Sequence, residues 1–275
     1  MSLSVNTNTG AMVALQNLTA TSTSLTQTQQ IISTGLKVGS AKDDGATYAI
    51  AQSQRATVAS LDAVKDSLNR ASSSVDVAMS AGDSITDMLT QMKEKALAAS
   101  DTSLDTTSRD ALNTDFQALR DQITKTISNA SFNGINLLDG SMTDLEALAN
   151  AQGSSRLTVM AENMSLGNGI VMVSSAASFS TASDAANLLT TLDTSINNVS
   201  AALAKLGTSS KAVSNHMTFI GKLQDSIQSG IGNLVDADMA QESAKLQALQ
   251  TKQQLGVQAL SIANQAPQVA LSLFK

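Results

Sequence analysis

The sequence predicts a mainly α protein. Long antiparallel heptad helices form a rod-like bundle, a small β-hairpin element sits near the tip, and paired N- and C-terminal helices form a separate inner layer. Three observations lead there. Pro occurs once in 275 residues, which permits long uninterrupted helices. Apolar residues recur at alternating steps of three and four over more than five heptads. Charge is unevenly placed, although 15% of the chain is charged. From Met1 to Leu36 there is none, and from Leu246 to Phe274 there is only Lys252. A helix exposed on its own normally carries a charged outer face, so these ends suit a setting where charge is not tolerated.

Each element follows in order. Ala11, Leu15, Leu18, Ser22, Leu25, Gln29 and Ile32 keep a heptad stripe on the first helix, until Gly35 and Gly39 interrupt it. Residues 33–45 read as a linker in which Asp43 or Asp44 caps the next helix. Residues 46–100 read as one helix with the seam Leu61, Val64, Leu68, Ala71, Val75, Ala78, Gly82, Ile85, Leu89, Met92, Ala96 and Ala99. A shorter helix over 109–129 places Leu112, Phe116, Leu119, Ile123 and Ile127 on one face. The turn signals Asn133-Gly134, Asp139-Gly140 and Asn168-Gly169 mark 130–183 as different, and 157–160 with 170–173 read as its hairpin. A second long heptad helix covers 184–230, with the seam Leu189, Leu192, Ile196, Val199, Leu203, Leu206, Ser210, Val213, Met217, Ile220, Gln224, Ile227 and Ile231, and a break at Gly230 and Gly232. The last helix covers 235–264, with Met239, Leu246, Leu249, Gly256, Leu260 and Ala263 in register, and Pro267 ends or kinks it. A chain that goes up and returns puts its two low-charge ends side by side. The expected division is 1–40 with 236–275 as an inner coiled-coil layer, and 41–235 as a rod domain without large outer domains.

Composition excludes much chemistry. Without Cys there is no thiol nucleophile or disulfide, and a single His cannot build a His-ligated metal site. A net charge of −6 argues against nucleic acid. Aromatic content of 2% argues against aromatic ligand pockets. No stretch is apolar enough to enter a membrane, and the N-terminus lacks the basic and apolar regions of a cleaved signal peptide. His216 has no second group at helical spacing to complete a catalytic set and reads as structural. Lys42, Asp43 and Asp44 read as a capped linker, and Asp236 and Asp238 as caps of the last helix. No catalytic residue, metal site or cofactor is expected.

Several blocks are more specific than heptads. They are V5-N-T-N8, I31-I-S-T-G35, S40-A-K-D-D44, F116-Q-A-L-R-D-Q-I123, F132-N-G-I-N-L-L-D-G140, N233-L-V-D-A-D238 and A263-N-Q-A-P-Q-V-A-L-S-L-F274. In these the chain resembles bacterial flagellin of the short alphaproteobacterial type, over essentially its whole length. The resemblance implies a structural subunit that self-assembles into the helical filament used for swimming. It implies a flagellar type III export apparatus, a chaperone, and junction and cap proteins as partners, and an extracellular location. Ile31 stands where the family usually has Arg, so the inter-subunit contact that Arg would make is not expected here. Gln91 and Lys95 depart from the family's receptor-binding stretch, so weak detection by the flagellin-sensing Toll-like receptor is expected. The residues expected to zip the ends together are Leu15, Leu18, Leu25, Ile32, Leu246, Leu249 and Leu260, and the ends are expected to fold only on assembly. A hook–filament junction protein and a soluble chemotaxis signalling hairpin are the alternatives. The turn-rich middle and uncharged ends count against the hairpin.

Overall fold

The computed structural model describes residues 7–272, with side chains to residue 265. Val5 and Asn6 of the first motif, and Leu273 and Phe274 of the last, lie outside them. The helices are α1 (Thr9–Thr34), α2 (Gly45–Ala99), α3 (Thr106–Asn129), α4 (Ala182–Val235) and α5 (Met239–Ser272). Short strands β1 (Ser131–Phe132), β2 (Ile135–Asn136), β3 (Asp144–Leu148) and β4 (Arg156–Met160) lie between α3 and α4. Contacts divide the chain into a central unit, Thr57–Asp225, and an end unit made of everything before and after it. The division falls within α2 and α4.

The central unit is built on the α2 seam, and every residue from Leu61 to Ala99 named above is buried there. The seam includes Gly82, where an added Cβ would lie 2.6 Å from Leu203 Cδ2. On α4 the most buried positions are Ala185, Leu192, Ser195, Val199, Ala202, Leu206, Val213, Ile220 and Gln224. Leu189, Ile196, Leu203 and Met217 of the expected seam flank that stripe and are half-buried. Gln224 is a polar member of that stripe, and its Nε2 donates to Asp62 Oδ1 at 2.7 Å.

Helix α3 starts at Thr106, earlier than expected, because Asp105 caps it by accepting from Ser108 N at 2.7 Å. Its buried Arg109 ties down the loop before it. Nε donates to the Ala99 carbonyl, and Nη2 to the carbonyls of Asp101 and Leu104, each at 3.0 Å. Phe116 meets Phe179 edge-on with ring centroids 5.3 Å apart. His216 donates from Nε2 to the Ala149 carbonyl at 2.8 Å and stacks obliquely on Phe219, a structural role.

The hairpins correct the sequence reading. Asn133 and Gly134, both at positive φ, turn β1 into β2 as their sequence signals. Strand β4 covers the expected 157–160, but its partner is β3, with Leu145 opposite Val159 and Ala147 opposite Leu157. Residues 170–173 form no strand. Val171 and Val173 are buried as an alternating run would be, yet side chains of α4 satisfy this backbone. Ser195 Oγ accepts from Met172 N, and Asn198 Nδ2 donates to the Ile170 carbonyl. Packing onto a helix replaced strand pairing, which periodicity alone does not distinguish.

Candidate self-assembly layer

The end unit begins with an uncharged helix that solves its own polar satisfaction. Asn8 caps α1 by accepting from Ala11 N at 3.0 Å. Gly35, at φ 72°, closes it with its N–H on the Ile31 carbonyl. Along the helix, Thr19, Thr21, Thr23, Thr26 and Thr34 each donate their hydroxyl to the carbonyl four residues back. In α5, Ser243 and Thr251 do the same. Thr28 is the exception: it is fully buried and its Oγ1 has no partner.

The linker is held by its two carboxylates. Asp43 accepts from Gly39 N, Ser40 N and Ser40 Oγ, which closes the turn before α2. Asp44 caps α2, accepting from Ala46 N, Thr47 N and Thr47 Oγ1. The Thr47 hydroxyl, followed by its N–H, holds the Asp44 carboxyl below its ordinary value of 3.8. Lys42 is exposed and takes part through its backbone N–H, which donates to Ser40 Oγ. Asp238 caps α5 by accepting from Ala240 N and Gln241 N. Asp236 does not cap. It pairs with Leu36 in an isolated antiparallel bridge, and its carboxylate lies where a Cβ on Gly232 would clash. Gly230 and Gly232 therefore do not break α4, which runs on to the buried Ile231 and Val235. Two Gly cost a helix about 2 kcal/mol, and burial of those two side chains offsets it.

Helices α1 and α5 run antiparallel against each other. Leu36 pairs with Asp236, and an added Cβ on Gly256 would lie 3.2 Å from Leu18 Cδ1. One on Gly10 would lie 4.0 Å from Ala263 Cβ. The inward face of α5 is Glu242, Leu246, Leu249, Gln253, Gly256, Leu260 and Ala263, all half-buried. That is the expected register except for Met239, which is exposed. On α1, Ala11, Leu18, Leu25 and Ile32 face inward as expected, but the positions between them are Ala14, Thr21 and Thr28. Leu15, Ser22 and Gln29 face outward, and Leu15 is 55% exposed. In a heptad the positions three and four residues on both flank the seam, and small residues let the two backbones approach more closely than Leu would. Pro267 does not end α5, which continues to Ser272.

Outward from this pair lie Met12, Val13 and Leu15 of α1, and Leu255, Val257 and Ile262 of α5, the last 70% exposed. Among the described residues, no group of three or more acidic or His side chains could hold a metal, and no helix is long and apolar enough to cross a membrane.

The pattern of the bacterial flagellin N-terminal helical region matches residues 5–143, and that of the C-terminal helical region matches 189–274. The chain belongs to the bacterial flagellin family. This flagellin is 58% identical to Flagellin FljM of Caulobacter vibrioides over 99% of its own length and 98% of that protein's. It is 38% identical to a flagellin of Brucella melitensis over 99% of each chain. Its fold is similar to that of a putative flagellar hook-associated protein from Vibrio parahaemolyticus, with a TM-score of 0.57 over 70% of this chain and all of that one, at 14% identity. It is a structural subunit of the flagellar filament. The motifs at the two ends help to build the end pair, since Asn8 meets Ala263 directly and Asp236 pairs with Leu36, while those over 116–123 and 132–140 lie in the central unit. Sequence reading missed Asn8 as a contact and Ala14, Thr21 and Thr28 as seam. Small-residue spacing was the signal available for Ala14.

Proposed function

We propose that this flagellin assembles by burying its paired ends, 1–40 with 236–275, against the ends of other copies as the inner layer of the filament. Residues 41–235 form the layer outside it. The observation that supports this is the outward face of α1. It has no charge, its Thr hydroxyls are already bonded within the helix, and it exposes Met12, Val13 and Leu15. The hydroxyl donors of Thr19, Thr23 and Thr26 on that face are not stranded when water leaves. Burying each exposed Leu or Ile contributes about 1.5–3 kcal/mol. Leu18, Leu25, Ile32, Leu246, Leu249 and Leu260 are half-buried within one chain and have surface left to give to neighbours.

In this reading the subunit leaves the cell through the flagellar type III export apparatus, held by a chaperone and without a cleaved signal peptide. It then assembles with junction and cap proteins, and has no catalytic activity. The absence of Cys suits passage through a narrow channel, because no cross-link can form on the way. The test is seeded growth: sonicated filament fragments are added to purified full-length monomer and followed by light scattering and electron microscopy. Wild type should extend the seeds. Leu15→Asp should raise the critical concentration at least tenfold while leaving unfolding of the central unit unchanged, since an unpaired charge buried between copies costs several kcal/mol. Growth of Leu15→Asp at the wild-type concentration would refute the burial of this face.

A further inference from the structure

Pro267 leaves a gap in α5. An α-helix pairs the N–H of each residue with the carbonyl four residues back, and Pro has no N–H. The carbonyl left over belongs to Ala263. It accepts instead from Asn8 Nδ2, 2.6 Å away and 255 residues distant in sequence. The same amide accepts through Oδ1 from Ala11 N and caps α1. One planar group thus completes two helices. Asp or Ser at position 8 could cap α1, but neither carries an amide NH2 to reach across.

We propose that Asn8 is a positioning residue for assembly: it selects the one register of α1 on α5 in which the carbonyl freed by Pro267 meets a donor. A slip of one helical turn would move Asn8 off that carbonyl and leave an unpaired acceptor in an uncharged layer. Before assembly water can satisfy it, and once copies exclude water it stays unpaired, so the penalty falls on misregistered subunits as they join. The proposal rests on the assembly reading above, and growth of the wild-type protein on seeds tests that reading separately.

The experiment is a cycle of critical concentrations for seeded growth, using full-length wild type, Asn8→Ser, Pro267→Ala and the double variant. Ser keeps the cap acceptor and loses the amide donor, while Ala at 267 restores the missing N–H and pairs the Ala263 carbonyl within α5. Asn8→Ser should raise the critical concentration about tenfold with Pro at 267 and less than about twofold with Ala there. Asn8→Asp, a second variant with a cap and no donor, should show the same rescue. An equal factor in both backgrounds, no effect in either, or loss of growth in both would overturn the proposal.

Discussion

Asn136 shows how one side chain can decide whether a turn and a helix end hold together. Its Nδ2 donates to the Ile127 carbonyl near the end of α3 at 2.7 Å, and its Oδ1 accepts from Leu138 N at 2.9 Å, both buried. Asn136→Ala strands both groups and should lower unfolding stability of the monomer by about 2–3 kcal/mol in urea titration. A loss within about 0.5 kcal/mol would mean that water enters the site. Thr28 is the opposite case, a buried hydroxyl with no partner. Thr28→Val keeps the shape and removes the unmet donor, so filaments should resist heat better by about 1 kcal/mol per subunit. A weaker filament would show that this hydroxyl is bonded inside its own subunit once the filament has formed. At this scale the sequence was partly legible. Position alone marked Asp238 and one of Asp43 and Asp44 as caps, but it also marked Asp236, which bridges to Leu36 instead. Asn136, Arg109 and Thr28 were not legible, because their roles depend on carbonyls and seams that only the packed elements bring within reach.

Carboxylates at the starts of α2, α3 and α4 and in the loop before α3 accept local hydrogen bonds, and their titration links stability to pH. The N–H and hydroxyl groups of Ser108 hold Asp105 below its ordinary value, and the Thr181 hydroxyl does the same for Asp184. The N–H of Ser103 acts likewise on Asp101, and the Thr47 hydroxyl on Asp44. A depressed native value means that the stabilisation is complete above the unfolded value and is lost as pH falls through the native one. The melting temperature should therefore be flat in this respect above about pH 5 and fall on acidification below about pH 4. Replacing all four by Asn, whose side-chain oxygen accepts the same bonds without titrating, should shrink the acid fall and leave neutral stability little changed. An unaltered acid limb would place the acid sensitivity elsewhere. Element existence was readable from period and turn chemistry: α2 and its seam follow directly from the steps of three and four. The hairpin partner was not, since 170–173 is a continuous apolar, β-prone run while 144–148 reads Asp-Leu-Glu-Ala-Leu, and tertiary packing chose against the stronger local signal. On α1 only the intermediate positions shifted by one residue, to Ala14, Thr21 and Thr28, for a similar reason: either flank of a heptad stripe can face the partner.

For the whole molecule, the missing charge at both ends was the most informative feature of the sequence. It set apart the two segments that the structure pairs, and the motifs at the two ends include Asn8, Asp236 and Ala263, which join them. The central claim is that α1 and α5 of one subunit lie antiparallel in a fixed register inside the filament. The chain has no Cys, so introduced pairs give clean cross-links. An added Cβ at Gly10 lies 4.0 Å from that of Ala263, and one at Gly256 lies 3.9 Å from that of Leu18, both within the span a disulfide bridges. The decisive measurement is oxidation of assembled filaments carrying Gly10→Cys with Ala263→Cys, and separately Leu18→Cys with Gly256→Cys. The account predicts a disulfide within each subunit for both pairs, read as a fast-migrating monomer in denaturing gels without reductant. Filaments that assemble but yield only free thiols, or only disulfides between subunits, would contradict it.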